Sequence, residues 1–189
     1  QRTAGIQAVP HGRWDLQAQH QAAPESQSGS VPAGFGGFLQ DVELFDEACF
    51  GVSQMEAGAM DPQQRLLLHQ ATLGLRMATG APWGSSVHGP SLGVFVGIST
   101  TDYARILQRS HSAAPNPYAA PGGALSVAAG RLSYTFGAQG AAVSVDTACS
   151  PSLVSTPLPS RSRATAQCGR ARVAGVRRTR EPRTTASLT

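Results

Sequence analysis

The sequence predicts an α/β layered fold with a largely parallel or mixed sheet. Three observations carry that expectation. The run LGVFVGI, residues 92–98, is continuously apolar, as expected of a strand buried on both faces. A second strand is expected in AAVSVD, residues 141–146. Segments of helical periodicity, with their own start and stop signals, precede and separate these strands.

Taken in order, residues 15–34 are rich in Gln, Ala, Ser, Gly and Pro and read as a surface loop. GFGG at 34–37 lacks the strand before it and the helix after it that a dinucleotide fingerprint requires, so its glycines are assigned to a turn. Asp41, Glu43, Asp46 and Glu47 form an acidic cluster, read as a solvated face rather than a cation site. Ser53 and Glu56 stand at capping-box spacing. A second helix start follows, with Asp61 as N-cap, Pro62 in the first turn and Gly80 past the end. Leu67, Ala71, Leu75 and Ala78 mark its core-facing stripe, with His69 just outside it. STTDYARIL is expected to start a helix at Ser99. A proline-rich loop then runs around Pro115, Pro117 and Pro121, and GALSVAAGRLSYTFG reads as a small-residue helix closed by Gly137.

The net charge of +4 is unevenly placed. Residues 1–149 carry 7 Arg against 10 acidic residues, whereas residues 150–189 carry 8 Arg against one Glu, and the chain has no Lys. The Arg-rich end lacks interleaved aromatics, so nucleic-acid binding is not expected. Cys49, Cys149 and Cys168 are an odd number without close spacing, which argues against a disulfide framework or a zinc site. No apolar run approaches the length of a membrane span. The chain opens on Gln1 rather than Met and is expected to be cut at both ends.

VPHGRWD (9–15), GGFLQDVELFDEACFGVSQMEAGAMDPQQRLLL (36–68), GVFVGISTTDYA (93–104) and ALSVAAGRLSYTFGAQGAAVSVDTACS (124–150) together resemble the ketosynthase, or β-ketoacyl synthase, domain of modular polyketide synthases. The resemblance is good from 36 to 154. It divides the chain into an entry segment and surface loop (1–35), a ketosynthase N-terminal core (36–154) and an Arg/Pro-rich tail (155–189). It implies the incomplete N-terminal half of a thiolase-like α/β/α/β/α fold, in a family whose members are usually homodimers. Such enzymes take an acyl chain from the phosphopantetheine of an acyl carrier protein onto a cysteine. A malonyl-type thioester on a second carrier protein then attacks by decarboxylative Claisen condensation. No bound cofactor is implied, and the setting is cytoplasmic or plastid.

The family's DTACS cysteine aligns with Cys149, which is therefore the expected nucleophile. Asp146, Thr147 and Ser150 are expected to shape its turn, and the strand before them to lie near the dimer two-fold. The chemistry of the position agrees with the alignment. A helix start favours the thiolate of a cysteine placed there. The Cys149 N–H, unpaired at such a corner, could hold the oxyanion of a tetrahedral intermediate, a contribution of up to about 3–4 kcal/mol per donor. Sulfur is both a good nucleophile and a good leaving group, as a two-step transfer needs. Cys49 and Cys168 are given no role.

Two departures from the family pattern stand out. The family's HGTGT-type and later GH-type histidine motifs do not occur in these 189 residues, and none of His11, His20, His69, His88 and His111 lies in a matching context. After Val154 the family's long buried helix is replaced by a segment in which Pro157 and Pro159 should stop the helix, since an interior proline costs about 3 kcal/mol. The tail is read as set apart from the family, as a frame slip would leave it, with only VAGV at 173–176 echoing the next strand. An inactive partial ketosynthase is thus the alternative to an acyl-transferring enzyme.

Overall fold

The computed structural model describes residues 5–10, 34–39, 41–81, 92–109, 116–164, 170–176, 178–180 and 186–188. These fall into two compact units. One contains two short antiparallel pairs: β1 (Gln7–Ala8) with β2 (Phe35–Gly36), and β6 (Arg178–Arg180) with β7 (Ala186–Leu188). GFGG therefore contributes a short strand as well as a bend. The expected surface loop lies almost wholly outside the described residues.

The other unit, Val42–Arg177, holds the core. It opens on a 3₁₀ turn, Ala48–Phe50, followed by α1 (Gln54–Ala59) and α2 (Pro62–Thr79). The Ser53 hydroxyl accepts the Glu56 N–H at 3.2 Å. The Glu56 carboxylate does not complete the box but pairs with Arg131. Asp61 caps α2 through the Gln63 N–H at 2.8 Å, and Gly80, at φ 68°, closes it in a left-handed conformation that costs glycine little. The buried stripe of α2 differs from the expected one. Gln63, Gln64, Leu67, Leu68, Thr72 and Leu75 are buried, whereas Ala71 is half-buried and Ala78 exposed.

The sheet has three parallel strands in the order β4 (Ala142–Val145), β3 (Leu92–Ile98), β5 (Arg170–Val176). All seven residues of β3 are buried, as its unbroken apolar run predicts for a central strand. β4 is an edge strand among the described residues, and Ala142 and Val143 are exposed. β5 contains VAGV and takes the other side of β3.

Between β3 and β4 lie α3 (Asp102–Arg109), α4 (Ala119–Gly123) and α5 (Val127–Thr135). Two expectations are corrected here. The helix after β3 begins at Asp102, because Ser99 is buried and its hydroxyl is used elsewhere, and Thr100 is left-handed at φ 72°. Pro121 lies inside α4 rather than in a loop; as the third residue of that helix it sits in the first turn, where its missing N–H would have had no partner. α5 ends just before Gly137, whose N–H bonds the Tyr134 carbonyl. The Ser126 side chain does not cap α5; instead the Ser144 hydroxyl of β4 accepts the Ala129 N–H at 3.2 Å.

After β4 come α6 (Pro151–Ser155) and α7 (Leu158–Ala164). α6 stops before Pro157, and Pro159 sits in the first turn of α7, where proline is tolerated. The core joins Met60, Leu67, Leu68, Leu75, Val94, Val96, Ile98, Ala128, Ala129, Leu132 and Phe136 across α2, β3 and α5.

Candidate active site

The carboxyl ends of β3 and β4 lie side by side, with Gly97 in register with Val145. This is the end at which open parallel sheets gather their functional loops. Beyond β4 the chain turns through Asp146–Ser150. The Asp146 Oδ1 accepts the Ala148 N–H at 3.0 Å, and the Thr147 carbonyl accepts the Ser150 N–H at 3.3 Å. Ala148 is left-handed at φ 53°, a conformation that an Asp side chain two residues back can support by bonding its amide. Cys149 follows, with its thiol exposed. Asp146, Thr147, Cys149 and Ser150 thus share one turn.

Cys149 does not open the helix. Ser150 is the N-cap, without a side-chain cap, and Pro151 is the first helical residue. At five residues, α6 aligns few peptide dipoles, so the helix contributes less positive potential than a long one would. The local amide is more useful. Among the described residues the Cys149 N–H makes no hydrogen bond. An exposed thiol and a free N–H on the same residue offer a nucleophile with a donor beside it.

The turn is fixed from below by two features. Gly97 lies under the start of α6, where a Cβ would come within 2.5 Å of the Pro151 carbonyl carbon and 2.6 Å of the Ser152 nitrogen. The helix can rest on β3 only because that position has no side chain. Ser99, 4% exposed, donates its hydroxyl to the Ala148 carbonyl at 3.2 Å. The neighbouring Thr100 carbonyl accepts the Gln63 side-chain amide at 3.2 Å.

Gln63 belongs to a buried polar turn that the sequence did not reveal. Asp61, Gln63 and Gln64 are 1%, 0% and 2% exposed. The Gln64 amide donates to the carbonyls of Pro121, Gly122 and Ala124, and its Oε1 accepts from Arg131 Nε at 2.8 Å. Arg131 also pairs with Glu56, so α1, α2, α4 and α5 meet on this cluster.

His69 is exposed and lies edge-on to Phe50, with ring centroids 6.5 Å apart, as a surface residue would. The other four histidines and Cys168 lie outside the described residues. Cys49 is exposed on the 3₁₀ turn, where its N–H bonds Asp46 Oδ1 at 3.0 Å. Among the described residues no acidic, histidine or cysteine group is arranged to hold a metal ion, and no helix is long and apolar enough to cross a membrane.

The β-ketoacyl synthase N-terminal domain profile matches residues 1–189, and the chain belongs to that family. Its relatives are modular polyketide synthases, which narrows the class to the N-terminal ketosynthase portion of such an assembly. It is 42% identical over 173 residues to polyketide synthase GfsE of Streptomyces halstedii, covering 90% of this chain and 4% of that protein. It is 39% identical over 183 residues to a phenolphthiocerol/phthiocerol polyketide synthase of Mycobacterium tuberculosis, covering 97% of this chain and 10% of the other. Among solved structures, it is similar to a ketosynthase from module 6 of the bacillaene synthase of Bacillus subtilis (TM-score 0.72, 29% identity) and to the oxazolomycin ketosynthase domain OzmH KS7 of Streptomyces albus (TM-score 0.69, 31% identity). In both cases 94% of this chain is covered, against 27% and 30% of the respective ketosynthase chains.

Proposed function

We propose that the chain is the acyl-accepting portion of a polyketide synthase ketosynthase, with Cys149 as nucleophile. The observation that carries this reading is the exposed Cys149 thiol beside its own unbonded N–H, on the turn between β4 and α6. The Cys149 sulfur, as thiolate, attacks the carbonyl carbon of an acyl thioester on the phosphopantetheine of an acyl carrier protein. The tetrahedral oxyanion is held by the Cys149 N–H, the carrier C–S bond breaks, and the carrier thiol leaves with a proton. In condensation, a malonyl-type thioester loses carbon dioxide, and its carbanion attacks the Cys149 thioester to free the thiol again. The histidines that assist this second step in the family have no matching motif in these 189 residues.

The open edge of β4, with Val143 37% exposed, suits the family's homodimer contact. The relatives named above are bacterial, which favours the cytoplasm.

The test is incubation with a radiolabelled acyl thioester. Label on wild type that is absent from Cys149→Ala supports the assignment, and equal labelling of the two removes it.

A further inference from the structure

We infer that Ser99 is a positioning residue, whose buried hydroxyl aims the Cys149 N–H at the reacting thioester. The inference rests on the acyl-accepting reading of Cys149 and adds a residue which that reading does not contain.

The Ala148 carbonyl and the Cys149 N–H belong to one peptide unit. Among the described residues no peptide is cis, so the two bonds of that unit point in opposite directions across a rigid plane. Whatever fixes the carbonyl therefore fixes the direction of the N–H. The carbonyl is fixed by Ser99 Oγ at 3.2 Å, from a side chain that is 4% exposed. The other end of Ala148 is held by Asp146, which accepts its N–H at 3.0 Å. Ala148 is thus gripped on both sides in a left-handed conformation that non-glycine residues rarely adopt.

Ser99 is itself anchored. It follows β3 directly and precedes Thr100, a β-branched residue held at φ 72°. Such a backbone costs on the order of 1–3 kcal/mol and persists only where its surroundings over-determine it. Here the wholly buried Gln63 donates its side-chain amide to the Thr100 carbonyl at 3.2 Å, and the Gln63 N–H bonds the Asp61 carboxylate. A hydrogen-bonded path thus runs from the start of α2, through the end of β3, to the peptide plane whose far side faces the substrate thioester. An oxyanion donor is effective when its direction is set before the reaction, because no energy is then spent turning it.

The experiment compares two reactions of the same thiol in the full chain, each followed on the Cys149-containing peptide by mass spectrometry. Acylation by an acyl-N-acetylcysteamine thioester passes through an oxyanion. Alkylation by iodoacetamide does not. Ser99→Ala is expected to slow acylation by about ten- to a hundredfold, up to the cost of a misplaced group and short of that of a wholly lost donor. Alkylation should stay at the wild-type rate, and Ser99→Thr, which keeps the hydroxyl, should restore acylation. Equal acylation of wild type and Ser99→Ala would overturn the inference alone. A parallel fall in both reactions would also overturn it, since Ser99 would then serve only folding. A wild-type chain that is alkylated but never acylated would overturn the acyl-accepting reading, and this inference with it.

Discussion

Among the described residues two helices start on a proline, and they start in opposite ways. α2 begins at Pro62 behind Asp61, which is 1% exposed and accepts the Gln63 N–H. α6 begins at Pro151 behind the exposed Ser150, which makes no side-chain cap. The first start is capped by a buried carboxylate and runs for 18 residues, while the second has no side-chain cap, leaves a neighbouring N–H unused and runs for five. A capped helix start contributes stability, whereas an uncapped one keeps donors available for a ligand. The contrast separates the part of the molecule that holds the site from the part that presents it.

The largest test of that contrast is Gly97→Ala. A Cβ within 2.5 Å of the Pro151 backbone forces α6 off β3, at an expected cost of about 3 kcal/mol in urea denaturation. Unchanged stability would mean that α6 is not seated on the sheet. Next is Gln64→Leu, which takes the side-chain amide away from the Pro121, Gly122 and Ala124 carbonyls, leaving the last two only the Asp61 and Val127 N–H groups, and removes one partner of Arg131. It should cost about 2–3 kcal/mol by the same measurement. Asp61→Ala removes the buried cap of α2 and should cost about 1–2 kcal/mol. The smallest effect on stability is expected for Asp146→Ala, on the exposed turn, at about 0.5 kcal/mol or less. The same change should slow acylation of Cys149, since Ala148 loses the group that holds its N–H. If Asp146→Ala destabilised the chain as much as Asp61→Ala, the division between holding and presenting would collapse.

What the sequence made legible is local. Ser53, Asp61, Pro62 and Gly80 act on residues within a turn of themselves, and each does in the structure what its position predicts. The unbroken apolar run of β3 is likewise a direct record of burial on two faces. The residues missed are those whose partners are distant. Gln63 and Gln64 carry no mark of burial in the sequence, yet they are buried, because carbonyls some 37 to 60 positions away supply their partners. Ser99 resembles an N-cap for the same reason that it is useful here, since its short hydroxyl reaches a backbone group, but that group is 49 positions along the chain. Cys149 is legible through its pattern of neighbours. The bonds that orient its amide leave no periodic trace.

The bare Cα of Gly97 has one more consequence. It is the fulcrum on which the first turn of α6 sits, and Cys149 lies two residues upstream of Pro151 on the same short arm. A Cβ added beneath would tilt that arm and draw the Ala148 carbonyl away from the Ser99 hydroxyl, so even the smallest side chain at position 97 should disarm the thiol without touching it.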